Sequence, residues 1–286
     1  MRIFFAISIF IISLSDTLAY IVKDAKGNLF EFDSEPKVAT ISPSATHAIY
    51  AVGAEKFLVA VSRYCDYPED VKSKEKIGGI LDIDYEKIIT LRPDLLLMPA
   101  INDDSMQRRL EKFGIKCFFI HNDGFEHIAD DLRLVGALFN KKAQADVLAD
   151  DFEKFVTSIS QKKLGNSKKA LFVFYGNIAA GKGSFVDGIM EILSLDNCAR
   201  KIGKPWPMLS REFILNSNID ILFVELPPNS NVETLLAQFK NDSVWKNVPA
   251  VKNNSVYFIP RELIVVPSIR VKDAITLMGN YLKNTN

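Results

Sequence analysis

The sequence predicts an α/β fold built as two lobes of related design, each around a parallel sheet, and three observations carry that prediction. First, apolar β runs alternate with helical segments along the chain: KVATIS, FLVAVS, DLLLMPA and IKCFFIH, then KALFVFY, DILFVEL and SVYFIP. Second, one phrase occurs twice without a gap, YEKIITLRPDLLLM at 85–98 and REFILNSNIDILFV at 211–224, 126 positions apart. Each copy opens a short helix with a glutamate, Glu86 or Glu212, and eight residues later places an aspartate, Asp94 or Asp220, before a β run. Third, residues 124–164 hold no proline, and Gly124 and Gly136 are their only glycines. Apolar residues recur there at helical spacing: Ile128, Leu132, Val135 and Leu138, then Val147, Phe152, Phe155 and Ile159. Two consecutive helices broken near Asn140–Lys141 are expected, the second long enough to bridge the lobes. A helical linker resists bending where a Gly/Ser linker would not. Two lobes on such a strut enclose a cleft with limited closure, and clefts of this kind are common ligand sites.

At the N-terminus, Arg2 precedes an apolar stretch over 3–14, and Thr17-Leu18-Ala19 supplies a small-residue cleavage site. This reads as an export leader over 1–19, too short in its apolar part to span a bilayer. No cysteine stands in lipobox position, so a periplasmic mature chain without a lipid anchor is expected. The mature chain divides into an N-terminal lobe at 20–123, a helical segment at 124–164 and a C-terminal lobe at 165–286. Lysine plus arginine and aspartate plus glutamate both number 35, which removes the basic excess that nucleic-acid binding needs.

Within the first lobe, VKDAKGNLFEF reads as a hairpin turning at Lys26-Gly27-Asn28. The strand KVATIS follows, then a helix entered at Pro43–Ser44 and running toward Gly53. The stretch RYCDYPED comes after an apolar run and raises three readings of its own: a catalytic cysteine, a metal site, or the lip of a ligand pocket. A Cys65 nucleophile, as in a secreted hydrolase, would need a base beside it. None of His47, His121 and His127 sits in a recognisable hydrolase context. The three cysteines, Cys65, Cys117 and Cys198, form no zinc-binding spacing. Cys117 reads as core, and a Cys65–Cys198 disulfide is open in an oxidising compartment. On this loop Tyr64 can stack on a ligand, donate a hydrogen bond or, as phenolate, ligate haem iron. Tyr67 reads equally well as a loop anchor beside Pro68, and Asp66 as a turn cap.

In the second lobe, GNIAAGKGS at 176–184 nearly spells a phosphate-binding loop, but Gly183 stands where a magnesium-ligating hydroxyl belongs. It reads instead as a flexible, glycine-rich loop at a strand end, facing the cleft. Next, KPWPMLSRE sets Trp206 between two prolines, which neither a helix interior nor a central strand tolerates. Its broad apolar face can cover a flat ligand or pack on its own lobe. Trp245, in SVWKNVPAV, reads as core.

Together, KVATISPSATHAIYAVGA, SRYCDYPED, IGGILDIDYEKIITLRPDLLL, LDNCARKIGKPWPMLSREFIL and VWKNVPAVKNNSVYFIP resemble the periplasmic binding proteins of ABC importers for vitamin B12, haem and iron–siderophores. The resemblance covers essentially the whole mature chain, and the Tyr-x-Asp-Tyr-Pro loop and Pro-Trp-Pro segment are most similar to the vitamin B12 branch. It implies two Rossmann-like lobes joined by a single rigid α-helix, with the ligand between them. It also implies a monomer with no enzymatic activity and no cofactor, which hands its cargo to an ABC permease dimer. Tyr64 and Trp206 would line the pocket from opposite lobes, with Asp66, Ile80, Phe185, Arg261 and Glu262 in the ligand-binding set. Glu86 and Glu212 would each dock on permease arginines, one acid for each half of a two-fold partner. Ile80 stands where an aromatic residue is common, and Arg261-Glu262 departs from the acidic-aromatic pattern of the vitamin B12 branch. Haem capture with Tyr64 as iron ligand is the alternative, and siderophore binding would fall to Arg63, Arg211 and Arg261.

Overall fold

The structure is a computed structural model that describes residues 19–100, 104–121, 124–174 and 177–283, so residues 1–18 of the expected leader lie outside it. The first lobe opens with the hairpin β1 (Tyr20–Lys23) and β2 (Leu29–Phe32), turned at Gly27 with a φ of 89°. Then come β3 (Val38–Thr40), α1 (Pro43–Ala51), β4 (Leu58–Val61), β5 (Glu75–Lys76), α2 (Tyr85–Leu91), β6 (Leu95–Pro99), α3 (Asp104–Glu111) and β7 (Lys116–Ile120). Ser42 starts α1 by accepting from the Ala45 N–H, and Pro43 sits at its first position, where no N–H is needed. The five strands β3 to β7 pair in parallel in the order β5-β4-β3-β6-β7.

The chain leaves this sheet through α4 (Ile128–Leu138) and α5 (Lys142–Ser160), with Asn140 left-handed at the break. The second lobe follows as β8 (Lys169–Phe174), β9 (Ile178–Ala179), α6 (Phe185–Ile192), β10 (Asp196–Asn197), α7 (Arg211–Asn216) and β11 (Ile221–Leu226). It ends with α8 (Val232–Asn241), α9 (Pro249–Lys252), β12 (Val256–Pro260), α10 (Arg261–Ile264) and α11 (Val271–Lys283). Its parallel path runs β10-β8-β11-β12, with β9 antiparallel on β8. Both sheets therefore reverse winding direction once, at β3/β6 and at β8/β11. In open parallel sheets the ligand crevice lies beyond the carboxyl ends of the strands at that point. Among the described residues no helix is long and apolar enough to cross a membrane.

The repeated phrase is repeated structure. Asp94 Oδ2 accepts from the Lys37 N–H at 2.7 Å, and the Asp94 N–H donates to Lys37 O at 2.8 Å. Asp220 makes the same two bonds with Lys169, at 3.0 and 2.8 Å. Two residues earlier, Arg92 and Asn218 both turn left-handed at a φ of 46°. Each aspartate thus ties the start of its own strand to the start of the neighbouring strand across the switch point, which fixes the register of the two strands that flank the crevice. Phe118 in one sheet and Phe172 and Phe223 in the other are fully buried. Each contributes about 1.5–3 kcal/mol by leaving water.

All three cysteines are free and buried, so the Cys65–Cys198 disulfide does not form. Cys65 packs in the core that includes α1, where Thr46 Oγ1 donates to its Sγ at 3.2 Å. Cys198 belongs to a different core, behind β11 and β12. Burial raises the Cys65 thiol and pushes Cys198 up to about 11 and Cys117 up to about 12, so none is a ready thiolate.

Two contacts fix how the chain is joined between the sheets. Where α4 meets α5, a Cβ on Gly136 would lie 2.1 Å from the Ala145 Cβ, so only glycine permits this approach. Arg133 on α4 clamps the same pair by donating to Glu153 at 2.6 Å and Asp150 at 2.8 Å on α5. The lobes also meet directly. His47 of α1 shares a hydrogen bond of 2.9 Å with Ser268, and the Arg270 guanidinium lies 3.6 Å over the Tyr67 ring. Tyr67 in turn meets His47 edge-on at 5.2 Å, so the loop after β4 and the loop after α10 form one seam. Tyr67 is the anchor of this seam.

Gly136→Ala is expected to force α4 and α5 apart and cost about 1–3 kcal/mol, read as a lowered Tm in thermal unfolding. The seam predicts a pH dependence. Burial, helped by the charge of Arg270 and opposed by Asp66, pushes His47 down to about 4 from its ordinary 6.5. The unfolded chain therefore takes up this proton first, and the contribution to stability present above pH 6.5 is lost as the pH falls toward 4. His47→Asn is expected to flatten the fall in Tm across that window, and an unchanged slope would place the titrating group elsewhere.

Candidate ligand cleft

The residues at the carboxyl ends of the strands supply the site. On the first lobe, β4 ends at Val61 and the chain turns through Ser62, whose Oγ accepts from the Tyr64 N–H at 3.1 Å. Arg63 N–H donates to Gly78 O at 2.9 Å, which lays this loop against the one that follows β5. There the Tyr64 ring rests on Gly79, where an added Cβ would lie 2.8 Å from Tyr64 Cε2. The glycine is the floor for the ring, whose outer face stays open: Tyr64 is 62% exposed. Ile80 and the fully projecting Leu81 continue the apolar rim. Arg63 Nη2 donates to Asp82 Oδ2 across the same two loops. Asp66 is exposed, and its effect here is through its charge on His47.

On the second lobe, Trp206 is presented by a strip of backbone. Ala179 N–H donates to Pro207 O at 2.9 Å, Gly181 N–H to Pro205 O at 2.8 Å and Leu209 N–H to Asn177 O at 3.0 Å. At these bonds both prolines only accept, so their missing N–H groups cost nothing. Gly181 is required by the approach, since a Cβ there would meet Lys204 O at 2.3 Å. The glycine-rich loop expected to be flexible is therefore the bed of the tryptophan loop. Ser184 Oγ also donates to Gly181 O at 2.9 Å, and the Gly183 N–H reaches Asp187 Oδ2 at 3.4 Å. Gly176 of the phosphate-loop resemblance lies outside the described residues.

Trp206 meets Phe174 edge-on at 5.6 Å and Phe185 at 6.0 Å, yet remains 47% exposed. The tryptophan thus packs on its own lobe, as one of its two readings has it, while part of its surface stays open. With Ile178, Ile264 and Val265 these rings line a cavity of about 390 Å³. Its polar members are Glu225, near the end of β11, and Arg261, just past β12, joined as an ion pair. Glu262 is exposed on the first turn of α10, outside this lining. Trp245 is buried against Phe239. A larger hollow of about 730 Å³ opens around Glu35, Arg92 and Lys116, at the amino ends of β6 and β7. That is the end of the sheet away from the crevice.

The sequence therefore placed Tyr64 and Ile80 on one lobe and Phe185, Trp206 and Arg261 together on the other. It missed Phe174 and Glu225, which lie within apolar β runs and carry no local signal beyond their position near a strand's carboxyl end. Glu86 and Glu212 are exposed on the first turns of α2 and α7, helices capped by Asp84 and Ser210. Among the described residues neither takes part in an ion pair.

Comparison with known proteins completes the description. The vitamin B12-binding protein of Vibrio campbellii is 28% identical over 245 residues, covering 84% of this chain and 86% of that protein. The solved periplasmic vitamin B12 binding protein of Vibrio cholerae shares the fold at a TM-score of 0.74 and 23% identity, covering 87% of this chain and 98% of that one. The periplasmic heme binding protein of Vibrio cholerae does so at 0.76 and 20% identity, covering 87% and 99%. The periplasmic binding protein family model matches residues 38–263, spanning both sheets and the crevice between them. The chain belongs to the periplasmic binding protein family, whose members bind substrates and are not enzymes.

Proposed function

We propose that this protein captures a corrinoid of the vitamin B12 class between its lobes and delivers it to the membrane permease of an ABC importer. The observation that carries this reading is the pair of open aromatic faces, one per lobe. Tyr64 is set on its glycine floor and Trp206 on its strip of backbone. A corrin is a broad, largely apolar macrocycle edged with amides, and such a ligand is gripped by flat apolar faces with a few polar groups to orient it. The vitamin B12-binding relatives support the same choice. Export by the leader at 1–19 would place the mature chain in the periplasm.

Titration of residues 20–286 with cyanocobalamin and with hemin tests the reading. One-to-one cyanocobalamin binding is expected, weakened about tenfold or more in Trp206→Ala, as for an aromatic anchor in a binding centre. Absence of cyanocobalamin binding would sink the corrinoid assignment. Hemin binding with a tyrosinate spectrum, lost in Tyr64→Phe, would assign the cleft to haem instead.

Delivery would use Glu86 and Glu212. They stand at matching positions of the repeated unit, one exposed carboxylate per lobe, which suits a partner with two-fold symmetry. The double variant Glu86→Ala/Glu212→Ala is expected to keep its affinity for ligand while losing most of its stimulation of the permease ATPase in reconstituted vesicles. Full stimulation would remove these two residues from docking.

A further inference from the structure

Beside each of the two exposed aromatic rings stands an arginine whose charge is answered from within its own lobe. Arg261 Nη1 donates to Glu225 Oε1, and the burial is lopsided: the Glu225 side chain is 2% exposed, that of Arg261 50%. On the facing lobe Arg63 Nη2 donates to Asp82 Oδ2, with both side chains about half exposed. Arg261 and Glu225 line the same cavity as Trp206, and Asp82 Oδ1 and the Tyr64 ring both stand within 3.0 Å of where a Cβ on Gly79 would be.

We propose that Glu225 and Asp82 are specificity-determining residues that mask the cleft arginines and so bar carboxylate-bearing ligands. The proposal rests on the cleft being the ligand site and says which chemistry it refuses. A carboxylate approaching Arg261 has two routes. It can displace Glu225, which takes the guanidinium away from a carboxylate whose side chain is 2% exposed, or it can sit beside Glu225 and meet like charge at short range; both are costly. A neutral amide meets neither penalty. The guanidinium holds five donors in a fixed fork, more than one carboxylate takes, and the remaining donors can be accepted by a carbonyl without disturbing the pair. Arg261 and Arg63 are thereby each met by a carboxylate, which favours a ligand edged with amides over one edged with acids at these two positions.

The test uses variants that keep shape and remove charge, Glu225→Gln and Asp82→Asn, titrated with protoporphyrin IX. That probe carries two carboxylates and no iron, so ligation by Tyr64 contributes nothing to its binding. Porphyrin affinity is expected to rise about tenfold in at least one variant, as for a charge-assisted hydrogen bond gained, and to weaken again as salt is added. A gain in Glu225→Gln should vanish in Glu225→Gln/Arg261→Gln. Unchanged porphyrin affinity in both single variants overturns the proposal, as does a Glu225→Gln gain that survives the loss of Arg261. If Glu225→Gln does not fold, Asp82→Asn decides alone, since its pair is exposed. Cyanocobalamin, titrated in parallel against the unaltered chain, keeps the two readings apart. Failure to bind it removes the corrinoid assignment, while the masking stands or falls on the porphyrin comparison.

Discussion

The geometry of the cleft depends on a seam in which an uncharged imidazole joins the two lobes. His47 shares a 2.9 Å hydrogen bond with Ser268, and Tyr67, packed edge-on against that ring, lies under the Arg270 guanidinium. Apart from the chain through α4 and α5, this seam sets how the carboxyl ends of the two sheets oppose each other. It is a buried polar contact, and the ring that makes it is kept uncharged by burial and by the nearby charge of Arg270. Its directionality does what an apolar contact would not: it fixes an angle between the lobes as well as a distance. An angle set before a ligand arrives lowers the ordering cost of binding between the two lobes.

Much of the fold was legible because its signals are local and periodic. The alternation of β runs with helices specified the parallel sheets, and the break at Asn140 separated α4 from α5. The repeat at 85–98 and 211–224 proved to be a common backbone device, down to the left-handed turns at Arg92 and Asn218. What escaped the sequence were partnerships across distance. Glu225 and Arg261 stand 36 positions apart and meet because β11 and β12 are neighbours in the sheet. Gly79 matters because a tyrosine from the preceding loop lies on it, and nothing around IGGI says so. The Cys65–Cys198 pairing failed for the same reason in reverse, because sequence cannot show that the two thiols belong to separate cores.

The two sides of the cleft reach one end by different local means. Tyr64 is steadied by contact, its ring lying on a glycine. Trp206 is steadied by its backbone, and its ring is then braced by Phe174 and Phe185. Both leave an open face, and both sit next to an arginine whose charge is met by a carboxylate. Aromatic breadth with balanced charge is a combination that neither lobe's sequence states alone.

The strip that carries Trp206 has a consequence for how such proteins diversify. The three bonds that tie it to residues 177–181 are backbone to backbone, so the loop's path does not depend on which side chain stands at its tip. A change of residue there alters what the cleft touches without redrawing the loop. Descendants of such a chain can explore new cargo one side chain at a time, on a frame that stays folded throughout.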